Sequence, residues 1–206
     1  MKFVSQEKEY IYQICQGLSI FGRMEMALSL VFAIAARTAD EKAADRIFWS
    51  VNSLEVRTAM TAAALKTVFP LLAGDSEVPA LWTEIATAIP KMAKKRAALA
   101  HGNWLGVAWI RKEGTQHQDQ FFAPYYGKAS VDIDMDSRAP AIDPRPKKRL
   151  YLPDLEARKT EFSILEMRVR HLSNRLSYEL QAALAQRAQK RPRQSRRVRP
   201  SANRTK

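Results

Sequence analysis

The stretch KKRAALAHGNW, residues 94–104, carries the side chains best suited to chemistry on a phosphodiester. Arginine keeps its charge at any ordinary pH and offers a planar fork to phosphate oxygens. Histidine is the residue type that exchanges a proton near neutrality and can serve as base or acid. Cleavage of RNA by its own 2′-hydroxyl needs a base for that hydroxyl, an acid for the leaving 5′-oxygen and positive charge beside the phosphorane. Arg96 and His101 supply the charge and one proton-transfer group. A second copy of the pair would supply the other. The spacing alone says little. With 20 arginines and three histidines, an arginine four to six residues ahead of a histidine is expected about 0.9 times by chance. Arg111 and His117 also match and fall in a polar stretch expected to be a loop.

Context adds more. KKRAALA reads as the last turns of a basic helix. Five residues along an ideal helix are about 140° around its axis, so Arg96 and His101 would face different ways. Gly102 is the residue type expected at a left-handed helix cap, and a helix ending at Ala100 or His101 would free the imidazole to swing toward Arg96. RAALAHG closing a helix in a chain of this kind resembles the motif of the HEPN superfamily, α-helical bundles that carry an arginine four to six residues before a histidine. The resemblance covers residues 5–110 and 153–189. It implies a metal-independent endoribonuclease, free of cofactors, with Arg96 holding phosphate and His101 as general acid or base. It also implies single-stranded RNA as substrate, a homodimer, and an antitoxin protein as partner in a toxin or defence system. Active members often carry Asn, Asp or His directly after the arginine, where this chain has Ala97. A catalytically inactive nucleic-acid- or nucleotide-binding relative, or a helical interaction scaffold, fits the same residues.

The elements that must position the motif follow from hydrophobic spacing. Tyr10, Ile14, Leu18, Phe21, Met24, Leu28, Val31 and Phe32 predict a helix over 5–37, single or divided near Gly17 or Gly22. Asp40 can cap a helix over 41–50 and Ser53 one over 54–72, with Val56, Met60, Ala63, Ala64, Leu65 and Val68 on its apolar side. A fourth helix covers 79–100, and Pro90 must kink or divide it. Trp104–Arg111 and Phe121–Tyr126 read as strands around the polar loop KEGTQHQDQ. VDIDMD alternates like a strand with one wet face, and RAPAIDPRPKKR reads as a loop. A final helix over 153–189 presents Phe162, Leu165, Val169, Leu172, Leu176, Leu180 and Leu184 to the core. The expected fold is thus mainly α. It is an antiparallel, HEPN-like helical bundle forming one domain over 1–189. A β-hairpin insertion at about 103–136 and a Pro-rich loop at about 138–152 interrupt it, and a disordered basic tail covers 190–206.

Charge and composition complete the expectations. Nine basic and no acidic residues lie between Arg187 and Lys206, so only +4 of the net +13 is left for the other 186 residues. Arg193, Arg196, Arg197 and Arg199 of this tail suit salt-dependent binding to nucleic-acid phosphates. Lys94 and Lys95 extend that interface beside the motif. Arg57 is an auxiliary phosphate contact, and Trp104 either stacks on a base or packs at the start of a strand. His171 belongs to a solvated basic face. Cys15, the lone cysteine, reads as a buried thiol and excludes an internal disulfide or a cysteine-based metal cluster. Asp132, Asp134, Asp136 and Asp143 mimic a calcium loop, but Ser137 replaces its glycine. No apolar run reaches membrane-spanning length, the longest being Met26–Ala36, and MKFVSQEKEY lacks a signal-peptide core. A cytoplasmic protein without a membrane segment is the expectation.

Overall fold

The computed structural model describes residues 2–38, 40–110, 116–124 and 150–190, with side chains over 8–38, 40–101 and 150–189. The predicted VDIDMD strand, the acidic cluster of 132–143, the Pro-rich loop and the tail from 191 lie outside the described residues.

The fold is mainly helical. It contains α1 (Lys2–Ala36), α2 (Glu41–Ser50), α3 (Leu54–Val68), a 3-10 turn (Phe69–Leu71), α4 (Val78–Ala100) and α5 (Leu152–Lys190). Strands β1 (Gly102–Ile110) and β2 (Gln116–Pro124) pair antiparallel, with Gly102 opposite Pro124 and Ile110 opposite Gln116. The polar residues His117, Gln118, Asp119 and Gln120, expected in a loop, lie within β2. Backbone pairing with β1 fixes their conformation, and polarity by itself does not exclude a residue from a strand.

α1 runs unbroken through both glycines. It ends at Arg37, whose φ of 54° is the left-handed conformation usually left to glycine. Asp40 caps α2 by accepting from the N–H groups of Lys42 (2.9 Å) and Ala43 (3.1 Å). Ser53 caps α3 by accepting from Val56 N–H at 3.4 Å. α4 continues through Pro90 undivided, although the proline leaves the carbonyl one turn earlier without its helical donor.

The expected antiparallel bundle needs one correction. α4 runs against α5, but α1 and α5 run parallel. Gln13 meets Lys159, Phe21 meets Phe162 and Arg23 meets Glu166, each pair separated by a nearly constant sequence offset. Parallel neighbours need a long crossover. Here α2, α3 and α4 lie between them in the chain, and α4, running against α5, brings its end beside the starting halves of α1 and α5.

One apolar core joins all five helices. It includes Tyr10, Met24, Leu28 and Val31 of α1, Phe48 of α2, Leu65 of α3, Ile85 and Ile89 of α4, and Leu172 and Leu176 of α5. Phe21 and Phe162 meet edge to face at 5.4 Å between ring centres. The apolar set predicted for α5 is buried except at Leu184. On α3 the buried line is Arg57, Thr61, Leu65 and Val68, while Val56 faces out. Two polar residues can occupy that line because both are satisfied internally. The Thr61 hydroxyl donates to the Arg57 carbonyl oxygen at 2.9 Å.

Two further expectations change. Lys8–Ala36 is long and apolar enough to cross a bilayer by length and composition, which counting uninterrupted apolar runs missed because isolated charges interrupt it. Its most apolar window is 56% buried inside the protein, as in a core helix. Cys15 is exposed, not buried. It lies one helical step from Tyr12 and Ser19 on the outward face, whereas Gln13, Gly17, Ile20 and Met24 turn inward.

Candidate functional site

The last turns of α4 are held from one side. Leu99 is buried next to Gly17 of α1, where an added methyl group would stand 3.4 Å from a Leu99 methyl carbon and 3.7 Å from the Phe162 ring. This close approach is what the small residue at position 17 permits. The Lys95 ammonium pairs with the Glu161 carboxylate of α5. The Arg158 guanidinium of α5 donates to the Lys95 carbonyl oxygen at 3.4 Å. Nearby, Lys159 donates to Gln13 Oε1 at 2.7 Å, and Gln13 donates to Glu9 at 2.6 Å.

Arg96 and His101 take no part in these contacts. Both are exposed, and among the described residues neither side chain has a hydrogen-bond or ion-pair partner, including each other. The helix ends at Ala100. His101 is its C-cap at φ −115°, ψ 12°, with its N–H donating to the Ala97 carbonyl oxygen at 3.1 Å. Gly102, expected at a left-handed cap, is the first residue of β1. The chain therefore leaves the helix through His101 itself. Ala97 and Ala100, both exposed, lie between the two functional residues and leave that stretch of surface low.

Arg96 also occupies an unusual line. Ile85 and Ile89 are core residues, and Arg96 falls within about 20° of both on an ideal helix. The α4 stripe Val78, Trp82, Ile85, Ile89 thus runs on into an arginine that the fold leaves open to solvent.

The other predicted contacts separate into groups. Lys94 is exposed beside Arg96. Lys95 is drawn into the pair with Glu161, away from the role expected of it. Arg57 is only 8% exposed. Its guanidinium donates to the Val51 carbonyl oxygen (2.8 Å), the Asn52 carbonyl oxygen (3.3 Å) and Glu25 Oε1 (3.4 Å). It also lies over the Trp49 and Phe48 rings at 4.7 and 5.5 Å. Buried between these acceptors and rings, the cation ties α1, α2 and α3 together and is closed off from a phosphate. His171 is exposed, as expected of a solvated face. Trp104 lies in β1 opposite Phe122, and its side chain is outside the described set. Arg193, Arg196, Arg197 and Arg199 are also outside it.

Sequence reasoning missed the α4–α5 seam. Arg168 pairs with Glu84 at 3.5 Å and Arg175 with Glu77 at 3.8 Å. Glu77 and Glu84 are seven residues apart, as are Arg168 and Arg175, so the pairs form an antiparallel ladder. Toward the end of α4 the ladder reverses polarity, with lysine on α4 and glutamate on α5. The heptad spacing of opposite charges was a signal for this register. Among the described residues no group of three or more His, Cys, Asp or Glu side chains is placed to hold a metal ion. No family model, curated protein or solved structure matches the chain.

Proposed function

We propose that this chain is a HEPN-like, metal-independent endoribonuclease acting on single-stranded RNA in the cytoplasm. In this reading the bundle carries the 102–124 segment as a β-hairpin insertion, and two copies bring two motifs to one RNA. Arg96 holds the scissile phosphate. His101 takes or returns the proton at the 2′- or 5′-oxygen, its counterpart in the second copy doing the opposite. Lys94 and the basic tail raise the local concentration of RNA. An antitoxin partner fits a toxin or defence role.

The observation that carries this reading is that Arg96 and His101, both exposed, lie at the same end of α4 with no side-chain partner among the described residues. Lys95, Lys159, Arg168, Arg170 and Arg175 all have internal partners. Arg96, on the apolar line of its helix, and His101, at the cap, are left open together. An exposed guanidinium and an exposed imidazole at one helix end are what phosphate binding and proton transfer need. The purified protein is expected to cleave single-stranded RNA in EDTA, and His101→Ala to lower the rate at least about 100-fold. Equal rates would remove the catalytic reading.

A second reading rests on Ala97. With no polar side chain after Arg96, the same helix end binds RNA without cleaving it. Binding would then depend steeply on salt, and removal of residues 187–206 would weaken it far more than His101→Ala.

A further inference from the structure

We infer that Glu161 is a positioning residue for the Arg96–His101 end, acting through Lys95. The inference rests on the ribonuclease reading above. Pro90 makes residues 91–100 a half-helix joined to the rest of α4 across a missing hydrogen bond. The rotation of that half-helix must be set by what holds its far end. Met92 and Ala93 pack against the core near the proline, and farther out the hold is Lys95 to Glu161 and Leu99 in the notch at Gly17, with a contact from Arg158 to the Lys95 carbonyl oxygen.

Lys95 and Leu99 are one turn apart and share the side that faces α5 and α1. Arg96 and Ala100 are the next positions along, also one turn apart, and both are open. Fixing Lys95 therefore fixes the direction in which Arg96 leaves the helix and where His101 begins the exit into β1. Leu99 alone is a poor rotational stop, since an apolar contact has no preferred direction. The ion pair is directional, and it stands at the one point of the seam where the charges are reversed. Lys95 is thereby removed from the set of cations available to phosphate, and its charge is balanced by Glu161. Among the described residues, Lys94 and Arg96 remain exposed cations beside the helix end.

The test compares Glu161→Gln, Lys95→Met and the charge swap Lys95→Glu/Glu161→Lys in the full-length chain. The pair is partly solvated, with side chains 35% and 40% exposed, so these variants fold and far-UV circular dichroism checks it. Two signals are read. The first is kcat and KM for single-stranded RNA cleavage in EDTA. The second is the NMR position of the His101 imidazole without RNA. Each single change is expected to lower kcat about three- to tenfold at unchanged KM and to shift the imidazole signal, and the swap to restore both within about twofold. Unchanged kcat and imidazole signal in the single variants would overturn the inference. So would a raised KM that the swap worsens, because Lys95 would then be touching RNA itself. Absence of cleavage by the unaltered protein would sink the ribonuclease reading alone. The imidazole signal, shifted by the single changes and restored by the swap or not, would still decide the role of Glu161.

Discussion

Arg57 and Arg96 are two arginines on neighbouring helices with opposite employment. Arg57 lies in the buried line of α3, with acceptors at 2.8, 3.3 and 3.4 Å and two aromatic rings against it. Arg96 lies on the extension of the buried line of α4, with no partner among the described residues. The first cation is desolvated and must be satisfied in full, because an uncompensated buried charge costs several kcal/mol. The second is exposed, costs the fold little, and gives none of its donors to the described residues. The comparison teaches that the number of cations near a groove is a poor guide to binding. What counts is which of them the fold has already used.

The sharpest way to break this comparison is at Arg57. Arg57→Met should destabilise the protein by about 3 kcal/mol, because Glu25 loses its partner and two carbonyl oxygens lose theirs. Chemical denaturation measures it, and Arg96→Met in the same experiment should lie within about 0.5 kcal/mol of the unaltered chain. Similar losses at both positions would erase the distinction. Leu99→Ala should cost about 2–4 kcal/mol, since it empties the notch at Gly17 and Phe162. The same variant should lower RNA cleavage more than its stability loss explains, because the last turn of α4 then loses its apolar anchor. Arg37→Gly should raise stability by about 1 kcal/mol, relieving a left-handed arginine at the end of α1. Arg168→Ala should change stability by less than about 1 kcal/mol, as its pair with Glu84 is more than half exposed on both sides. A larger loss there would mean the seam ladder contributes more to the bundle than its exposure suggests.

Much of the helical architecture was legible in the sequence, because each helix writes its own signals locally. The caps at Asp40 and Ser53, the apolar spacing of α5 and the end of α4 at Ala100 are all encoded within a turn or two. What was not legible depends on neighbours distant in the chain. The parallel run of α1 and α5 follows from which faces meet, and the spacing of apolar residues is the same for either direction. Cys15 was misjudged because burial was inferred from residue type, while its helical phase places it outward. The roles of Arg57 and Lys95 turned on Glu25 and Glu161, which lie on other helices. At the candidate site the sequence pointed to Arg96 and His101, and the helix end between them fell where expected. Gly102, expected to follow the helix as its cap, is the first residue of β1.

The central claim is that Arg96 and His101 form one working unit at the open end of α4. Its most direct test is the rate of single-stranded RNA cleavage in EDTA by the unaltered chain, Arg96→Ala, His101→Ala and the double variant. The account predicts that each single change lowers kcat at least about 100-fold. It also predicts that the double variant is no more than a few-fold worse than the weaker single one, as expected of groups that act together. Full activity in His101→Ala, or losses that multiply in the double variant, would contradict it.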